Sequence, residues 1–114
     1  MEYLEETSAA ITINFFDLSG NAVVPDTDTI KWTLTNNPNA SIAATVINNR
    51  LDVAVTSAAT INITLNDADL ALLSGESGIA FRVITITYQF DDATYGNNLK
   101  GCIEYQFTVK ERVI

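Results

Sequence analysis

The sequence predicts an all-β domain, an antiparallel β-sandwich of about seven or eight strands, with a closed barrel as the competing architecture. Three observations carry this. Residues 82–91 read RVITITYQFD and residues 103–109 read IEYQFTV, each alternating large apolar with polar side chains. That two-residue period belongs to strands with one buried face. The same alternation recurs along most of the chain, in short runs separated by Asn, Asp, Ser, Gly and Pro, the chemistry of turns.

In order along the chain, residues 1–9 read as a polar N-terminal arm. Ile11, Ile13 and Phe15 share one parity and predict the first strand. Asp17 to Asn21 is a turn, and residues 22–24 are a short strand stopped at Pro25, which has no N–H for a ladder. Residues 29–35 (TIKWTLT) put Ile30, Trp32 and Leu34 on one face, with Trp32 a suitable core anchor. Asn36 to Asn39 ends that strand. Residues 42–47 and 51–55 flank Asn48-Asn49-Arg50, and because Asn tolerates positive φ the two flanks predict a hairpin. Leu51, Val53 and Val55 form one stripe. Residues 60–65 continue with Ile61, Ile63 and Leu65. The alternation breaks at residues 66–73 (NDADLALL), where Asn66 or Asp67 suits a helix cap, so one short helical crossover between sheets is expected here. Residues 74–78 form a loop.

The longest strand starts near Ile79. Phe81 and Val83 have the opposite parity to Ile84, Ile86, Tyr88 and Phe90. Either a bulge near residues 82–84 or burial on both faces reconciles the phases. Residues 91–98 form a loop, and the last strand runs from about residue 99 to 110 with Ile103, Tyr105, Phe107 and Val109 inward. The final two strands pair most simply as an antiparallel hairpin.

Bulk properties narrow the function. At 114 residues this is one domain, over residues 10–110, with a tail at 111–114. A chain of this length buries roughly 65–70% of its unfolded surface, enough for a core without staples. The net charge of −8 at pH 7 opposes phosphate backbones and anionic membranes, so neither nucleic acid nor membrane is an expected partner. Histidine is absent, which removes the commonest general base and metal ligand. Cys102 stands alone, so no internal disulfide or CxxC metal set exists. The opening MEYLEETSAA is not a secretory signal, so synthesis in a reducing cytoplasm is expected.

No residue set spells an active site, and the expectation is a non-enzymatic protein with no cofactor and no metal. Asp26 with Asp28, Asp67 with Asp69, and Asp91 with Asp92 can be tested as calcium ligands, but none fits the twelve-residue calcium loop, and all suit turns. Ser19-Gly20 and Ser74-Gly75 lack a histidine and a GxSxG setting. The sequons at Asn39 and Asn62 have no consequence without secretion. The candidate interaction residues are Tyr3, Leu4, Phe16, Tyr95, Val113 and Ile114: aromatics at arm, outward or loop positions, and apolar residues at the ends.

One resemblance adds to this reading. FFDLSGNAVVP, TIKWTLT, VINNR, INITLNDADLAL and the closing pair of strands resemble small immunoglobulin-like domains of tailed-phage virion proteins. The shared elements are a D-x-x-G-x-x-V-x-P opening (Asp17, Gly20, Val23, Pro25), a W-x-L-T strand (Trp32, Leu34, Thr35) and a T-L-x-x-x-D-L step (Thr64, Leu65, Asp69, Leu70). The likeness spans about residues 10–110, and its motifs are structural. It implies an immunoglobulin-like sandwich acting as a virion component, with other virion proteins and copies of itself as partners. The paired cysteines of antibody-type domains are missing, so packing alone must hold the core. Capsid surface, neck, tail and fibre attachment are all open positions, and a carbohydrate- or ligand-binding sandwich using Tyr95 and Asn97-Asn98 is the competing function.

Overall fold

The computed structural model describes residues 1–36 and 45–112. It is all-β: β1 (Glu2–Leu4), β2 (Ala9–Asn14), β3 (Lys31–Asn36), β4 (Val53–Ala54), β5 (Thr60–Leu65), β6 (Ile79–Asp92) and β7 (Gly96–Lys110). Five strands form one sheet in the order β1-β7-β6-β3-β4, and β2 pairs with β5 in a second. The run β7-β6-β3-β4 has the connectivity of the larger sheet of immunoglobulin-like sandwiches with its extra edge strand. The β2-β5 pair supplies the centre of the facing sheet.

The alternation explains the layers. In β2 and β5 every second residue is apolar, and register sets Ile11 opposite Ile63 and Ile13 opposite Ile61. Across the gap, Trp32 pairs beside Ile86 and Leu34 beside Ile84. These residues, with Phe15, Ile30, Leu65, Phe107 and Val109, are one buried cluster. Burying such side chains contributes about 1.5–3 kcal/mol each, so the cluster offsets chain entropy without a disulfide.

Several sequence expectations are corrected. Residues 66–73 contain no helix among the described residues. Asp69 N bonds Asn66 O, Leu70 N bonds the same oxygen at 3.3 Å, and Ala71 N reaches Ala68 O at 3.5 Å, overlapping turns that do not become a helix. Asp69 and Leu70 are both fully buried. With both side chains held between the layers, the turn does not repay the cost of helix nucleation by propagating. Among the described residues the two flanks of Asn48-Asn49 do not pair with each other. The turn exists, with positive φ at both Asn residues, but Ile47 N bonds Leu34 O and Val53-Ala54 pairs with β3, so both flanks dock on β3. Asp52, also at positive φ, breaks the stripe and leaves Leu51 exposed. Residues 42–44 lie outside the described residues. Residues 22–24 form only a bridge, Phe16 to Ala22. The polar arm contains β1, which runs parallel to the end of β7, so the sandwich is not wholly antiparallel.

Strands β6 and β7 form the expected hairpin. No bulge occurs at residues 82–84, because the register is unbroken from Ile79 opposite Lys110 to Phe90 opposite Leu99. Arg82, Val83 and Ile84 are all buried, so this end is covered on both faces. The shift lies instead between Phe90 and Asp92, and the hairpin extends further than expected, with only residues 93–95 as its turn. At about 3.3 Å per residue, a strand of β7's length spans most of the 52 Å long axis. The six-residue strands of the second sheet cover only part of it.

Candidate interaction site

The far end of the hairpin meets the loop after β2 through one carboxylate. Asp17 makes its own turn, its Oδ1 accepting the N–H groups of Ser19 and Asn21 at 2.9 Å. Gly20 completes it at φ +86, a conformation costly for any residue with a Cβ. This presents Leu18 N to Asp92 Oδ2 at 3.0 Å, with the Ser19 hydroxyl at 3.4 Å. The other oxygen of Asp92 accepts Thr94 N at 2.7 Å and Tyr95 N at 3.0 Å. Burial pushes the Asp92 carboxyl up, but these donors outweigh it and hold it below the ordinary value. The consequence is on the surface. Phe16, Leu18 and Tyr95 stand 54%, 61% and 61% exposed on two loops joined by the same buried group.

The opposite part of the sandwich is tied by ion pairs. Asp69 Oδ1 accepts Arg50 Nε at 2.8 Å and Asn48 Nδ2 at 2.9 Å, and Oδ2 accepts Asn66 N at 2.9 Å. Burial raises this carboxyl, and the Arg50, Asn48 and Asn66 donors bring it below its usual range. Arg50 also lies over the Trp32 ring, 5.7 Å from its centroid. Arg82, 1% exposed, is held by Glu76 through Nη2–Oε1 at 2.5 Å and Nη1–Oε2 at 2.9 Å. Its Nη2 also reaches Ala71 O at 3.3 Å, and its Nη1 Phe81 O at 2.8 Å. The Arg82 bonds hold the Glu76 carboxyl low against burial. These contacts clamp residues 66–78 to the sheet.

The sheet edges are the remaining feature. Each strand of the β2-β5 sheet has a single partner, so both of its outer edges are open among the described residues. Its outward face carries Ala10, Thr12, Asn14, Thr60, Asn62 and Thr64, all exposed and none charged. Cross-strand bonds join Thr12 to Asn62 (2.8 Å) and Thr60 to Asn14 (2.7 Å), so the second sequon lies within a ladder. Natural edges are usually blunted by charge or proline, and these are not. On the outer face of the larger sheet, Asp28, Lys31, Thr87, Gln89, Lys100 and Cys102 line an open groove of about 520 Å³.

The six candidate residues are dispersed. Phe16 and Tyr95 lie on the two segments that Asp92 joins. Leu4 is exposed on β1. Tyr3 faces inward, edge-on to Phe107 at 5.4 Å with its hydroxyl 3.4 Å from that of Tyr105. Burial first, then that bond, pushes the Tyr3 hydroxyl up to about 12. Val113 and Ile114 lie outside the described residues. Sequence reasoning missed Leu18, whose exposure depends on the Asp17 turn, and Arg82, whose signal is a charge in phase with Ala80, Ile84 and Ile86. Of the three acidic pairs, Asp69 and Asp92 spend their oxygens on protein donors, and among the described residues no three Asp, Glu, His or Cys converge as a metal site. The motif residues of the resemblance have folding roles: Asp17 and Gly20 in a turn, and Pro25, Trp32, Leu34, Leu65, Asp69 and Leu70 buried. Comparison with known proteins finds no match to any protein family, curated protein or solved structure.

Proposed function

We propose that this chain is a non-enzymatic structural component of a phage virion, associating with neighbouring capsid, neck or tail subunits through loops, sheet edges and terminal segments. The observation that carries the reading is the two-stranded sheet with two uncharged open edges. Such edges accept an added strand from a neighbour through main-chain bonds that tolerate many side chains. The apolar loop end of Phe16, Leu18 and Tyr95 offers a second contact of the composition found at interface cores. The resemblance of residues 10–110 to virion domains supplies the setting. Weak single contacts suffice where many copies are arrayed.

The test is mass spectrometry of density-purified particles from the phage that encodes the chain. The expected result is a fixed copy number per particle that survives repeated banding. Recovery only in the unassembled lysate fraction overturns the proposal. A second reading rests on the exposed Tyr95 beside Asn97 and Asn98: aromatic rings with amide neighbours suit sugar binding. Glycan arrays on the folded domain discriminate, since saturable binding lost in Tyr95→Ala favours that reading.

A further inference from the structure

The larger sheet ends at β7, and β1 covers that edge only at Thr108, Val109 and Lys110. Thr108 N donates to Met1 O at 3.0 Å, and Lys110 O accepts Glu5 N at 2.9 Å. These bonds identify which residues turn their backbone outward. The pairing with β6 is unbroken from Leu99 to Lys110, so the residues in step with Thr108 also present N–H and C=O to the edge. They are Lys100, Cys102, Glu104 and Gln106, and among the described residues no strand pairs with them on that side. The Asn97-Asn98 irregularity ends this stretch on one side and β1 ends it on the other. Beneath it, on the core face, Leu99, Ile103 and Tyr105 are only half-buried.

We infer that this edge is a self-association site, where β7 of a second copy adds antiparallel about a twofold axis through Cys102. The charge pattern selects that register. An axis at Cys102 sets Lys100 opposite Glu104 of the second copy, and the symmetry repeats the pair. An axis at Lys100 or at Glu104 sets like charges face to face, which is destabilising in a ladder. The residues with outward backbone groups meet as hydrogen-bonded pairs, so Cys102 lies opposite its own copy at a Cα separation of about 5.5 Å. On the core side the same register puts Tyr105 beside Leu99 and Ile103 beside Gly101, extending the apolar layer across the axis. The contact is isologous and closed, giving a dimer and not a fibre. Each copy carries −8, but at physiological salt the screening length of about 8 Å confines repulsion to near charges. The inference shares with the assembly reading only the use of an edge, so a monomeric chain that still enters particles refutes this site and leaves that reading intact.

The test is sedimentation equilibrium by analytical ultracentrifugation of the full chain, with circular dichroism to confirm folding. The expected result is a reversible monomer–dimer equilibrium that Glu104→Lys or Lys100→Glu weakens by about tenfold or more. Mixing those two variants restores dimers, because one then presents cations at both positions and the other presents carboxylates at both. A short bis-maleimide links the dimer through Cys102, and Cys102→Ser abolishes the linkage without dissociating the dimer. A monomer at every concentration overturns the proposal. So does a dimer indifferent to the charge swaps or one whose Cys102 thiols cannot be linked.

Discussion

Arg82 and Asp92 stand on the same strand and the same face, about 33 Å apart along β6. Both are charged and both are buried, yet their partners are of opposite kinds, and the Arg82 Nε has none. Arg82 meets a carboxylate, Glu76, and two carbonyls. Asp92 has no cation among its partners, and its donors are the main chain of Leu18, Thr94 and Tyr95 and the Ser19 hydroxyl. An ion pair desolvates two charges, so removing one member strands the other. A carboxylate held by turn dipoles strands only neutral groups, and turns near the surface can recover water. The Arg82 end is therefore a clamp whose failure propagates, whereas the Asp92 end is a local tie that shapes an exposed surface.

The largest effect expected follows from that asymmetry. Arg82→Met keeps the aliphatic volume but leaves Ala71 O and Phe81 O without this donor and Glu76 with Leu73 N as its remaining one. Breaking a buried pair costs about 3–5 kcal/mol, and with the Glu76 side chain 25% exposed the loss should fall toward the lower end, still a large share of the roughly 5–15 kcal/mol typical of a domain. Urea denaturation should show this loss. The double variant Arg82→Met, Glu76→Leu should recover much of it, because the pair as a whole is worth less than either removal suggests. If the two substitutions add without coupling, the clamp is not an ion pair and the contrast with Asp92 fails.

A middle-sized effect separates packing from both charged ends. Gly101 sits opposite Tyr88, and any Cβ there would overlap the Tyr88 ring. Tyr88 in turn packs edge-on to Phe15 at 4.7 Å. Gly101→Ala must displace the ring, and overpacking of this kind costs about 1–3 kcal/mol. Thermal unfolding should show that loss, while hydrogen exchange at the residues bonded to Asp92 and Glu76 changes only with global opening. Selective exposure of either end would mean that the two regions are coupled through the middle of β6.

These contrasts also show what the chain's order reveals and what it hides. The stripes of β2, β3, β5, β6 and β7 are legible because alternation is a local property, set by which face each side chain takes. Strand β1 is not, since three residues with one inward ring, Tyr3, carry too little pattern; its partner lies more than a hundred residues away in sequence. The crossover misleads because Asn66 and Asp69 do form a helix-like turn, while Asp69 is committed to the distant Arg50 and Asn48, contacts that local sequence does not show. The conflict of phases near Arg82 is visible in the sequence, but its cause, a buried guanidinium drawn in by Glu76, depends on where the preceding loop lands. At the loop end Tyr95 and Phe16 are legible as outward aromatics. That one buried carboxylate joins their loops is not, because Asp92 reads like any turn residue.

The smallest effect concerns acid, and it bears on Asp92 most directly. The carboxyls of Asp69, Glu76 and Asp92 are all held below their ordinary values of 3.8, 4.5 and 3.8 in the folded chain. A group whose folded pKa is depressed contributes stability that is complete above its unfolded pKa and is lost as pH falls through the folded one. The domain should therefore hold its stability down to about pH 5 and lose it progressively below. In Asp92→Asn the contribution of that carboxylate is missing at every pH, while those of Asp69 and Glu76 persist. The difference in stability between the native chain and Asp92→Asn should be constant near neutrality and shrink as acid protonates Asp92. Amide exchange at Leu18 and Tyr95 should quicken in the variant at neutral pH and approach that of the native chain in acid. A gap that does not close on acidification would mean that Asp92 acts by shape alone, and the distinction drawn between a charge held by a partner and a charge held by dipoles would not apply to this strand.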